Sequence, residues 1–402
     1  MNQHNSKLHA ETICAHFGED PSLHNGAVIP PIYQNSIFVM DEMEQRAANY
    51  SLDEDETAVA SGMSKRYDYT RVGNPTTDVA ESKIAALEGA ESARCFSSGM
   101  AAITAAILSC VKAGDHIVCV QSVYGPTRTF VSDYLVRFGI TTTYVQGSDP
   151  QEFEDALQPT TRLIFVESPS SVVMQQQDLE SVAKIAKQHG AATIIDNSWA
   201  SPIFQNPMEF GIDLVCHSAT KYLGGHSDII AGVVCGSRKH MDPIIRNEGL
   251  LLGAVMDPFA SWLMIRGLRT LPVRMAQHQR NTAQIVKRLE EHSAIARVYY
   301  PGSADDSQPE LTSKQLKGKS GLLSIELKNS TKATAYKLVN TLKYFQIACS
   351  WGGFESLALP HHAQPRVFKD ASEPRWLVRL HIGLENVEDL WEDLDAGLNS
   401  IH

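Results

Sequence analysis

Short apolar runs recur through the middle of the chain, at 117–120, 163–166, 193–195, 214–216 and 229–234, with helical spacing between several of them, as over 179–189. Runs of this length fit strands covered on both faces, and strands separated by helices pair in parallel. The pattern therefore predicts a layered α/β domain around a mostly parallel sheet. Upstream, residues 78–87 have helical spacing that stops at Gly89. Ser97-Ser98-Gly99 then leads into an Ala-rich helix over 100–111.

After about residue 260 the texture changes. A long helical stretch at 262–292 precedes a strand-like run at 321–327, a helix near 331–342, and a last strand and helix between 377 and 398. This predicts a second, smaller α+β domain. Residues 1–65 read as an irregular arm, with Asp53-Glu54-Asp55-Glu56 as a solvated loop. An arm of that length gains order by wrapping around another subunit. The expected division is thus an arm over 1–65, a large domain over 66–262 and a small domain over 263–402. No internal repeat or low-complexity tract interrupts it.

Charge narrows the function. The chain has 35 Lys and Arg against 46 Asp and Glu, a net charge of −11, and the basic residues are scattered. That balance argues against a nucleic-acid surface and leaves an anionic ligand to a local pocket. No stretch is long and apolar enough to span a bilayer, and the opening Met1-Asn2-Gln3-His4-Asn5 has no apolar signal segment. The 7 cysteines show no Cys-x-x-Cys pairing, and most sit in apolar runs. They read as small buried hydrophobes of a reducing compartment, so the cytoplasm is the expected location. The 15 histidines form no His-x-x-x-His motif and no Cys/His cluster, so no metal site is expected.

The chemistry concentrates in Ser218-Ala219-Thr220-Lys221-Tyr222-Leu223-Gly224-Gly225-His226-Ser227. A lysine at the end of an apolar run, among hydroxyl residues, suits a Schiff base with a carbonyl cofactor, although a lone lysine is more often a surface residue. Ser97-Ser98-Gly99-Met100 places free backbone N–H groups at a helix start, a natural phosphate site and also an ordinary cap. Asp196 closes a strand and faces the usual ligand crevice of a parallel sheet, where it would hold a pyridine nitrogen protonated; a helix N-cap is the equal alternative. Tyr124 offers a ring to stack on a flat cofactor or to pack in the core. Arg71, near Tyr69 in the stretch 67–75, suits bidentate phosphate binding, against the default of a surface arginine.

Together these motifs make the sequence resemble the Cys/Met-metabolism family of pyridoxal-phosphate enzymes, the fold-type I lyases and synthases of transsulfuration. The resemblance rests on Tyr-Asp-Tyr-Thr-Arg-Val-Gly-Asn-Pro-Thr (67–76), Ser-Ser-Gly-Met (97–100), Val-Tyr-Gly (123–125), Glu-Ser-Pro-Ser (167–170), Asp-Asn-Ser-Trp-Ala (196–200), the stretch 213–227 and Ser-Trp-Gly-Gly-Phe-Glu-Ser-Leu (350–357). It implies an aspartate-aminotransferase-like fold, with a seven-stranded mostly parallel sheet in the large domain. It implies Lys221 as the Schiff-base lysine, Asp196 at the pyridine nitrogen and Tyr124 over the ring. Gly99, Met100, Ser218 and Thr220 would hold the phosphate. Tyr69 and Arg71 would reach the phosphate of a neighbouring subunit, in a homotetramer built as a dimer of dimers. Arg379 would grip the α-carboxylate of an amino-acid substrate.

The members of the family divide by reaction. Ser171-Val172 after Glu-Ser-Pro-Ser, Pro126-Thr127 after Tyr124-Gly125, and Trp351 after Ser350 are similar to cystathionine β-lyases, whereas 67–75 looks like the γ-synthases. Trp351 would narrow the pocket and wall the distal part of the substrate, with ordinary core packing as the alternative. The expectation is a β-lyase that cleaves cystathionine to homocysteine, pyruvate and ammonia in methionine biosynthesis, with Lys221 as base and acid and Tyr124 assisting. A cystathionine γ-synthase or γ-lyase is the alternative within the family. A non-catalytic α/β protein that binds a phosphorylated ligand is the alternative outside it, and the joint presence of Lys221, Asp196, Tyr124 and Arg379 speaks against that.

Overall fold

Strands β1 (Ser92–Phe96), β2 (His116–Val120), β3 (Thr141–Val145), β4 (Thr161–Glu167), β5 (Ala192–Asp196), β6 (Leu214–His217) and β7 (Gly232–Gly236) form one sheet in the order β1-β7-β6-β5-β4-β2-β3. The structure is a computed structural model describing residues 8–43, 67–368 and 371–401. From β3 to β6 every pairing is parallel, and β7 runs antiparallel to both β6 and β1. This is the mostly parallel sheet that the apolar runs predict, with the seven strands that the family resemblance implies. The helices Pro75–Glu88, Gly99–Cys110 and Leu179–His189 pack on it. Val118, Ile164, Phe165, Ile195 and Val215 have no exposed surface. Burial on both faces is why these strands read as unbroken apolar runs.

The antiparallel turn-back at β7 matters for the site. The carboxyl ends of β4, β5 and β6 lie along one edge, so Glu167, Asp196 and the residues after His217 emerge side by side. The apolar run 229–234 is only partly strand. Residues 229–231 precede β7, where Ala231 accepts from the Thr220 N–H at 3.2 Å and donates to the Thr220 hydroxyl at 3.0 Å. Those bonds take the backbone that a longer strand would have used.

The expected long helix at 262–292 is two, Pro258–Arg269 and Leu271–Glu291, broken at Thr270 (φ −105°, ψ 2°). Pro272 lies in the first turn of the second helix, where a missing N–H costs nothing. The first of these helices runs through the expected border at 262/263. Beyond them β8 (Ile295–Tyr299), β9 (Leu322–Leu327), β10 (Gln346–Ile347), β11 (Leu357–Ala363) and β12 (Arg375–His381) form a second sheet, β10-β11-β12-β9-β8. It is antiparallel except at β10–β11, and the helices Lys332–Thr341 and Val387–Asn399 accompany it.

The described part of the N-terminal segment is not wholly irregular. A short helix, Ala10–His16, buries Ile13 and Cys14 against the helix Pro75–Glu88. Lys83, with no exposed surface, anchors it by donating to the Cys14 carbonyl at 3.2 Å and pairing with Glu19 at 2.9 Å. The acidic stretch 53–56 lies outside the described residues. Among the described residues no helix is long and apolar enough to cross a membrane.

Candidate active site

A pocket of about 400 Å³ opens where the ends of β4, β5 and β6 meet the start of the helix Gly99–Cys110 and residues 349–351 of the second sheet's layer. Its polar end is built for an anion. Ser98 caps the helix by accepting from the Ala101 N–H at 3.1 Å, and the first N–H groups of a helix lack intrahelical partners. A Cβ on Gly99 would fall 2.8 Å from the Ser218 Cβ, so glycine is required for this close approach. Ser218 is itself fixed, its N–H donating to the Ser198 hydroxyl at 2.6 Å. Thr220 lines the same end, with its hydroxyl turned to the Ala231 carbonyl at 3.2 Å.

The Lys221 amine donates to the Ser350 hydroxyl at 2.8 Å and lies 5.3 Å from the centre of the Trp351 indole. Burial, and then the charge of Arg379, bring its pKa down to about 8. Arg379 projects from β12 and donates to the Cys349 carbonyl at 3.0 Å. Trp351 is buried and packs on Tyr222 at 5.5 Å between ring centres. Gly352 closes this contact: at φ +87°, its Cβ position lies 2.8 Å from the Tyr222 nitrogen.

At the opposite wall Asp196 and Glu167 stand on neighbouring strands in register. Burial raises the pKa of both. The Ser198 N–H, donating to Asp196 at 2.9 Å, and nearby His217 and Lys221 work against that rise for Asp196. For Glu167 the Asp196 carboxylate adds to the rise. Glu167 accepts from the Tyr124 N–H at 2.7 Å and from the Ser171 hydroxyl. Tyr124 is half-exposed, and partial burial pushes its phenol upward, so it stays protonated near neutral pH.

Gly99, Met100, Tyr124, Asp196, Ser218, Thr220, Lys221, Trp351 and Arg379 all line the pocket, and Ser350 touches the lysine amine. Tyr69 and Arg71 do not line it. Arg71 donates to the Leu250 carbonyl at 2.8 Å and lies 5.5 Å from the exposed ring of Tyr69. Sequence reasoning gave no role to Glu167, Ser198 or Cys349. Glu167, an acid closing a strand as Asp196 does, carried a readable signal; Cys349 carried none.

These residues fit the pyridoxal phosphate that the resemblance implies. The phosphate would meet helix N–H groups and a cradle that a methyl group at Gly99 would fill. The ring nitrogen would find a buried carboxylate, and the aldehyde an amine of lowered pKa.

Comparison with known proteins agrees over nearly the whole chain. The family model described as Cys/Met metabolism PLP-dependent enzyme matches residues 11–399. The L-methionine gamma-lyase of Porphyromonas gingivalis is 40% identical over 387 residues, 94% of each chain. The cystathionine beta-lyase of Lactococcus lactis subsp. cremoris is 36% identical over 394 residues, 96% of this chain and 98% of the relative. A crystal structure of metB from Corynebacterium glutamicum superposes with a TM-score of 0.89 at 34% identity, covering all of both chains.

Proposed function

We propose that this chain, which belongs to the Cys/Met-metabolism family of pyridoxal-phosphate-dependent enzymes, is a carbon–sulfur β-lyase that cleaves cystathionine to homocysteine, pyruvate and ammonia. Bound pyridoxal phosphate supplies an electron-accepting ring conjugated to the substrate Cα. Arg379 takes the α-carboxylate as a fork from a rigid strand. The Lys221 amine removes the Cα proton and delivers it to the departing sulfur. The C–S bond then breaks with its electron pair on sulfur, which takes up a proton, and the three-carbon enamine left behind hydrolyses to pyruvate and ammonia. Tyr124, held through its backbone by Glu167, supplies a phenol beside the reacting carbons. The four groups assigned to the phosphate are Gly99, Met100, Ser218 and Thr220. Tyr69 and Arg71 are assigned to the pocket of a neighbouring subunit in a dimer of dimers. The reaction would supply homocysteine in methionine biosynthesis.

The observation that carries the β-lyase reading is the clamp on Lys221. Its amine is tied to Ser350 at 2.8 Å and walled by the Trp351 indole at 5.3 Å. β-Elimination asks this amine to work at Cα alone. γ-Elimination needs a second proton removed, at Cβ, and room for a leaving group one carbon farther out. A held amine beside a bulky wall favours the first.

One observation favours a second reading, γ-elimination from methionine: several relatives that are 37–40% identical carry the name L-methionine gamma-lyase. Product identification separates the two. With cystathionine, pyruvate and homocysteine are the expected products, and with methionine no methanethiol is expected. 2-Oxobutyrate as the main product from cystathionine would overturn the β-lyase reading. Trp351→Leu, by removing the wall beside the amine and widening the pocket, is expected to raise the ratio of 2-oxobutyrate to pyruvate by about tenfold.

A further inference from the structure

A second cavity, of about 620 Å³, lies between the two sheets' layers and shares no lining residue with the pocket around Lys221. Residues 148–150 and 173–175 line it from one side, and β8 with the residues that follow it from the other. One wall is a pair of tilted rings flanked by two guanidinium groups. The Arg297 guanidinium lies 4.9 Å from the Tyr299 ring centre, Tyr299 lies 6.2 Å from Phe368, and Arg375 lies 4.9 Å from Phe368.

The two arginines differ in what balances them. Arg375 pairs with Glu326 at 3.1 Å, and that carboxylate also accepts from the Tyr299 hydroxyl at 2.8 Å. Arg297 makes no ion pair among the described residues. Its Nη2 donates to the Asp305 backbone carbonyl at 3.2 Å, and its Nε is buried without a partner. A guanidinium that lines a cavity without an ion pair is suited to a ligand carboxylate. Asp149, Asp305 and Asp306 line the same space, Asp149 also accepting from the Gln151 N–H at 3.0 Å and Asp305 from the Val298 N–H at 2.9 Å, and Val173, Met174 and Phe368 add apolar surface. An anion donor, cation acceptors and apolar surface together match a zwitterion with an apolar side chain.

We propose that this cavity is an effector site for a free α-amino acid with an apolar side chain, its carboxylate on Arg297 and its ammonium towards Asp149 and Asp305. The cavity wall is continuous with the catalytic pocket. Ser170 and Gln175 close a loop, the Ser170 N–H on the Gln175 carbonyl at 2.9 Å and the Gln175 N–H on the Ser170 hydroxyl at 3.1 Å. Within it Met174 holds φ +53°, left-handed backbone that a non-glycine residue adopts only under constraint. Ser171 of the same loop donates to Glu167, and Glu167 holds the Tyr124 N–H. A ligand against Met174 therefore bears on Tyr124 through named contacts, which gives the two sites a physical route for coupling.

The test uses holoenzyme and L-norleucine, an amino acid with no leaving group to eliminate. In equilibrium dialysis the wild type is expected to bind about two molecules per chain, Arg297→Gln and Arg379→Met about one each, and the double variant none. Ser307→Trp, which fills the cavity from an exposed rim position, is expected to match Arg297→Gln and guards against a folding defect in that variant. Hexanoate and pentylamine, each keeping one charge, are expected to bind this site at least about tenfold more weakly. In kinetics the non-competitive part of norleucine inhibition should vanish in Arg297→Gln while the competitive part stays. A wild type that saturates at one molecule per chain, unchanged stoichiometry in both cavity variants, or hexanoate binding as tightly as norleucine would overturn the proposal. Activity without norleucine, measured alongside, reports on the lyase reading separately.

Discussion

At Lys221 burial and charge act in the same direction. Burial is the larger effect, the Arg379 guanidinium adds to it, and together they hold the amine at about 8 instead of 10.5. Because the folded pKa lies below the unfolded one, the cofactor-free protein binds fewer protons here than its unfolded chain between pH 8 and 10.5. This group's contribution to stability therefore rises with pH through that window, and its cost is complete below about pH 8. The same shift makes the amine nucleophilic near neutrality. In the cofactor-free protein, acylation of Lys221 followed by mass spectrometry is expected to reach half its plateau rate near pH 8. Arg379→Met should move that midpoint upward, and an unmoved midpoint would remove Arg379 from the explanation. Lys221 and Asp196 were legible in the sequence because each closes an apolar run. Arg379 was not legible that way: in the strand 375–381 it reads as a paired structural arginine, and only the family resemblance gave it a substrate. The pairing of Glu167 with Ser171 and Tyr124 depends on strand register, which a sequence does not display.

Between elements, the decisive contact is the docking of residues 350–353 onto the turn that carries Lys221. Gly352 sits at φ +87°, and a Cβ there would meet the Tyr222 nitrogen at 2.8 Å and the Lys221 carbonyl carbon at 2.9 Å. Gly352→Ala should therefore combine backbone strain of about 1–2 kcal/mol with displacement of the lysine. The expected outcome is a lower unfolding temperature and a fall in kcat of at least about tenfold. Gly114→Ala supplies the control, since Gly114 has the same φ of +87° and nothing within 4 Å of its Cβ position. It should lose stability yet keep kcat, and equal kcat losses in both variants would reduce the Gly352 effect to strain. Strand legibility follows a similar division. β2, β4, β5 and β6 are covered on both faces and announce themselves as apolar runs. β1 (Ser-Ala-Arg-Cys-Phe) and β3 (Thr-Thr-Thr-Tyr-Val) lie at the sheet's edges, where polar and hydroxyl side chains are tolerated and the signal fades.

For the whole molecule, the question is why Tyr69 and Arg71, at the heart of a readable motif, stay out of their own pocket. Arg71 is tied to the Leu250 carbonyl, and the backbone beside it is held by Arg94, which donates to the Arg71 and Val72 carbonyls at 3.0 and 3.2 Å. Large apolar side chains stand exposed near this segment and at the pocket rim: Leu251, next to the Leu250 that Arg71 holds, is 74% exposed, Val39, next to the Phe38 that bonds to Asp68, 84%, and Ile230, which lines the pocket, 69%. Exposed apolar side chains of this kind suit a surface that another chain covers. An isologous contact over it would carry each chain's Arg71 to the other's pocket, so that neither chain holds a complete site alone. Mixing inactive variants tests this directly. Lys221→Ala keeps Arg71, and Arg71→Ala keeps Lys221, so a mixed dimer regains one site built from the intact halves. Random reassortment of equal amounts then predicts about a quarter of wild-type activity from two preparations that are each inactive. If Arg71 served its own chain, no pairing could rebuild a site and the mixture would stay inactive after subunit exchange, which mass spectrometry of the reassorted oligomers would verify independently.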